Sequence, residues 1–66
     1  MNRYQITCPG LPAVQRDEIS TDTVLRAMFG DTAETTQRMM LLADGSLPEV
    51  TGTLRGRAIT VKRAQS

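Results

Sequence analysis

The sequence predicts an α+β fold: a single small domain over residues 1–66 in the order β-α-α-β-β, with a short antiparallel or mixed sheet carrying a helical hairpin on one face. Three observations predict it. Polar and apolar residues alternate from Arg3 to Cys8, helix-period apolar clusters with start and stop signals fill Ser20 to Gly45, and β-branched residues with glycine dominate after Leu47.

In the first stretch Tyr4, Ile6 and Cys8 fall on one side and Arg3, Gln5 and Thr7 on the other, the pattern of a half-buried strand that Pro9-Gly10 ends. From Leu11 to Ser20 the apolar positions Leu11, Val14 and Ile19 keep no period, so this segment reads as a connecting loop with room for one helical turn. The first helix begins where Ser20 or Thr21 caps free N–H groups and Asp22 meets the positive end of the helix dipole. Val24, Leu25, Met28 and Phe29 then line one face, and Gly30 suits a left-handed helix end. Asp31 with Glu34 resembles a capping box that opens a second helix from Thr32 to about Ala43, stopped by Asp44-Gly45-Ser46. Five apolar residues in a row, Met39 to Ala43, cover more than one helix face, so a sheet or a second subunit must bury the surplus. After Leu47-Pro48-Glu49, two β-branched runs meet at Arg55-Gly56. A hairpin is expected there, although arginine is a poor first residue for the favoured two-residue turn; one strand bent by a bulge at Gly56 is the alternative. Ala64-Gln65-Ser66 reads as a frayed end.

Sixty-six residues leave a thin stability margin, since a lone core of this size supplies about 3–5 kcal/mol without a disulfide, a metal or a partner subunit. One cysteine and no histidine remove the first two supports, which leaves oligomerisation, most simply a homodimer. No apolar run approaches a membrane span and Met1-Asn2-Arg3 opens no signal-peptide pattern, so a soluble cytoplasmic protein is expected.

Cys8 and the hydroxyl residues lack a histidine base, the adjacent Asp17-Glu18 pair points two ways and reads as a solvated loop, and Gly52 and Gly56 lack the surroundings of a phosphate loop. Cys8 reads as a small buried hydrophobe at the strand end. No enzyme, cofactor or metal site is expected.

Charge layout is the strongest functional signal. Residues 1–50 carry four cations against seven acids, net −3, whereas residues 51–66 carry Arg55, Arg57, Lys62 and Arg63 with no acid, net +4. This basic segment either contacts an anionic partner or merely guards a sheet edge. A helix-turn-helix with the hairpin as wing is a competing reading, weakened by Glu34 and by a single arginine, Arg38, on the second helix. The Met28, Met39 and Met40 group reads as core or as an adaptable protein-binding surface.

The expected function is therefore a small non-catalytic protein-binding module, an inhibitor or modulator of a macromolecular target of the kind phages and mobile elements carry. Arg55, Arg57, Lys62 and Arg63 are the expected contacts, and Met39, Met40 and Leu42 the expected apolar anchors. A nucleic-acid-binding regulator and an oligomeric binder of a nucleotide-like anion are the alternatives.

Overall fold

A computed structural model describes residues 2–64. The expected fraying of Gln65 and Ser66 lies outside the described residues; Ala64 itself ends a strand. The chain forms β1 (Arg3–Thr7), β2 (Val14–Arg16), α1 (Glu18–Phe29), α2 (Ala33–Asp44), β3 (Val50–Leu54) and β4 (Arg57–Ala64). The α+β fold stands, with one strand more than the sequence suggested. All pairings are antiparallel and the sheet order is β2-β1-β4-β3.

The additional strand is β2. The segment expected to be a loop folds back on β1 in a three-residue ladder, Tyr4 opposite Arg16 and Ile6 opposite Val14. All three of its residues are exposed, so no alternation marks it. It exists because β1 offers it a hydrogen-bonding edge. Helix α1 also starts earlier than expected. Asp17, not Ser20 or Thr21, is its N-cap, with the Ser20 N–H donating to Asp17 Oδ1 at 2.8 Å. Thr21 is fully buried and donates from Oγ1 to the Asp17 carbonyl at 2.7 Å. At α2 the cap is Thr32, which accepts from the Thr35 N–H at 3.2 Å, and Asp31 is spent elsewhere.

The Arg55-Gly56 junction is a hairpin turn, which removes the bent-strand alternative. Both turn residues have positive φ, 53° at Arg55 and 78° at Gly56, as a two-residue turn matched to strand twist requires. Glycine adopts this freely; arginine does so at a cost.

Residues directly opposite in an antiparallel pair share a face. One face therefore carries Tyr4, Ile6, Val50, Gly52, Ile59 and Val61, and both helices pack on it. The fully or nearly buried core is Tyr4, Leu25, Met39, Leu42, Val50 and Val61, with Ile6, Met28, Phe29, Ala43, Leu47 and Ile59 packed around it. Gly52 is required where the end of α1 crosses β3: a Cβ there would stand 2.9 Å from Phe29 Cζ. The absence of a side chain lets α1 descend onto the strand.

So small a core leaves little to lose. Leu25 is fully buried, and its replacement by Ala removes about 2–5 kcal/mol, comparable to what a core of this size supplies. Leu25→Ala is expected to abolish the cooperative urea transition followed by circular dichroism; an unchanged midpoint would show that α1 does not pack as described.

Candidate functional site

The face of the sheet away from the helices is exposed or half-exposed at every position. It carries Arg3, Gln5 and Thr7 from β1, Gln15 from β2, Ala58, Thr60, Lys62 and Ala64 from β4, and Thr51 and Thr53 from β3. Register places Gln15, Gln5 and Lys62 in one row across three strands, and Thr7, Thr60 and Thr51 in the next. Arg3 and Ala64 lie opposite each other beyond the glutamine row. No strand position on this face is acidic; Glu49 stands one residue before β3. It is a polar surface with two cations and short or amide side chains between them.

The four cations of the basic segment do not converge. Lys62 is exposed on the open face, whereas Arg57 and Arg63 sit on the helix-side register and Arg55 at the hairpin tip. Arg63 is occupied structurally: its Nη1 donates to the Ala43 carbonyl at 2.7 Å, near the C-terminal end of α2, where a cation meets the negative end of the helix dipole. Of the three apolar anchors, Leu42 is fully buried and Met39 nearly so, while Met40 is 65 % exposed on α2.

The helical arginines are engaged as well. Arg26 ties the two helices together, donating to Asp22 at 2.9 Å, to Asp31, and to Thr36 Oγ1 at 3.0 Å. Its hydrogen bond to Asp22, with Asp31 adjacent, holds the guanidinium pKa above its ordinary value. Arg38 stacks on the Phe29 ring, 4.4 Å from the centroid. The residues that a groove-reading α2 would present are thus Glu34, Gln37 and Met40, which gives a helix-turn-helix little to grip a phosphate backbone with.

Asp17 and Glu18, expected to be solvated, are both used. Asp17 caps α1, and Glu18 Oε1 accepts from the Tyr4 hydroxyl at 3.0 Å. Burial, then this hydrogen bond, raises the Tyr4 pKa. The two carboxylates line an open hollow of about 540 Å³ with Asn2 and Ile19. A second hollow of about 200 Å³ lies between Cys8, Pro9, Arg57 and Ala58. Neither joins a nucleophile to a base. Cys8 is half-buried, one residue past β1. Among the described residues, no group of three or more histidine, cysteine or carboxylate side chains is placed to hold a metal, and no helix is long and apolar enough to cross a membrane.

Arg3, Gln5, Gln15 and the threonines of the open face are not among the contacts expected from the sequence. The alternation in β1 had already set Arg3, Gln5 and Thr7 apart from the core side, and extending that parity through the hairpin would have collected the rest. No protein-family model, curated protein or solved structure matches the chain, so its functional reading stands on geometry.

Backbone and side-chain bonds from Ser20 hold the Asp17 carboxyl below the usual carboxylate range, and bonds from Ser46 do the same for Asp44. Because the folded-state values are depressed, the stabilisation is fully present above the unfolded value of about 3.9 and is lost as pH falls through the folded values. Melting temperature is expected to decline below about pH 4, with a shallower decline in the Asp17→Asn, Asp44→Asn double variant. A profile of equal slope in both proteins would contradict these two assignments.

Proposed function

We propose that this protein is a non-catalytic binding module, an inhibitor or modulator acting in the cytoplasm, which docks the open face of its sheet against an acidic surface of a protein target. The observation carrying this reading is a face of ten strand positions, opposite the one the helices pack on, with Arg3 and Lys62 exposed on it and no acid among them. Antiparallel sheets commonly leave one face to water, so exposure alone is ordinary. The positive sign of the face is shared by the sheet as a whole, because seven acids occur in the chain and none falls on a strand position of either face. Electrostatic complementarity of this kind raises association rates and excludes partners of the wrong sign.

The chemistry of the chain supports binding over catalysis. The chain has no histidine, the side chain whose ordinary pKa suits proton transfer near neutral pH. The phage-type or mobile-element setting rests on size and plainness alone and adds nothing to the mechanism.

Nucleic acid is the second reading, favoured by the same two cations. Sheet surfaces that bind single strands stack bases on aromatic side chains, and this face has none, while its charge supports few phosphate contacts. Capture of a nucleotide-like anion has less support, since neither hollow converges several cations on one point.

The test is an affinity capture from lysate of the source cells with immobilised wild type and an Arg3→Glu, Lys62→Glu variant. One or a few proteins held by wild type and lost by the variant, with circular dichroism unchanged, is the expected result. Equal capture by both would remove the open face as the contact surface. Retention of labelled single-stranded RNA or duplex DNA by wild type, weakening steeply with salt, would replace the protein target with nucleic acid.

A further inference from the structure

The two edges of the sheet are unlike. β2 is three residues long, carries Arg16 and follows Pro9 and Pro12, devices that discourage another strand from pairing there. β3, the other edge, is five residues without charge, proline or bulge: Val50-Thr51-Gly52-Thr53-Leu54. Its outer ladder is exposed. In a two-residue hairpin the flanking pair, Leu54 and Arg57, bond to each other, and the alternation of an antiparallel ladder then turns the N–H and C=O of Thr51 and Thr53 away from β4.

We propose that β3 pairs antiparallel with β3 of a second copy about a two-fold axis at Gly52, forming a homodimer with one continuous eight-stranded sheet. The segment from Glu49 to Arg55 is chemically palindromic about that glycine: acid, aliphatic, threonine, glycine, threonine, aliphatic, base. Antiparallel pairing on this centre sets each Thr51 against a Thr53 whose backbone groups also point outward, so these pairs exchange hydrogen bonds. Each Val50 meets a Leu54 on the helix side, and each Glu49 stands at the end where the other copy's Arg55 lies. A shift of the centre by one residue in either direction keeps the ladder but loses the acid-to-base match.

Arg55 supports the same register. It occupies a positive-φ turn position that costs an arginine strain, and no acid among the described residues pairs with it, since both ion pairs belong to Arg26. Across the axis it gains Glu49 as a partner. On the helix side, Met28 and Phe29, which already cover Gly52, reach the seam from both copies and add apolar cover to a thin core.

Dimerisation through β3 goes beyond the partner reading, because a monomer keeps Arg3 and Lys62 on its open face. Light scattering across a dilution series at low salt is expected to give twice the 7.2 kDa chain mass. Glu49→Arg or Arg55→Glu alone sets like charges at both ends of the seam and should weaken the dimer about tenfold or more, and the double swap E49R/R55E should restore it. Amide hydrogen exchange in wild type is the independent readout: Thr51 and Thr53 N–H groups should be protected at high protein concentration and released on dilution. A monomer at every concentration would overturn the proposal. So would a dimer indifferent to both single swaps, or one in which the Thr51 and Thr53 amides exchange freely.

Discussion

The pairing of β1 with β4 is the constraint on which the rest depends. Strands from opposite ends of the chain form the centre of the sheet, with Ile6 opposite Val61 and Tyr4 opposite Arg63, and the other two strands exist by attachment to them. The helices between them must then close back over one face. Closing so long a connection costs entropy before any contact repays it, and most of the repayment comes from six buried apolar side chains. Local bonds add to it. The caps at Asp17 and Thr32 satisfy helix ends, and Arg26 bridges the two helices through Asp22, Asp31 and Thr36.

One consequence is a division of labour between the two faces of the sheet. All strand-borne apolar residues of the core stand on the helix side, and helix arginines and Arg63 are drawn into contacts there. The polar side is the face on which the proposed docking rests. A single copy offers a face of roughly 20 Å by 17 Å, from four strands at about 4.8 Å spacing and five residues at about 3.4 Å rise. That is small beside the roughly 800 Å² per partner of an ordinary protein interface. Joining two copies edge to edge at β3 doubles the face without any change in its chemistry, so the proposed dimer and the proposed docking surface are compatible.

Much of the fold was legible because it rests on local signals. Alternation identified β1, apolar period with Gly30 and Gly45 identified both helices, and Gly56 identified the hairpin even with Arg55 beside it. β2 was not legible, because a three-residue strand exposed throughout has no pattern of its own. The start of α1 was misplaced for a related reason: Ile19, in its first turn, is 80 % exposed and interrupts the apolar period. Asp31 looked like a cap and instead binds Arg26, a competition between two nearby partners that spacing alone does not decide. The site was less legible than the fold. Counting cations by chain segment grouped Lys62 with Arg57 and Arg63, although strand parity sends them to opposite faces.

Residue-resolved native-state hydrogen exchange at low protein concentration tests the primacy of the β1–β4 pair most directly. The slowest amides should lie in Gln5 to Thr7 and Ile59 to Lys62 and exchange only through global unfolding, with β2 opening far more easily. If the slowest amides instead lie in α1 and α2 while the central strands exchange faster, the helical hairpin is the stable unit and the account built on the sheet is wrong.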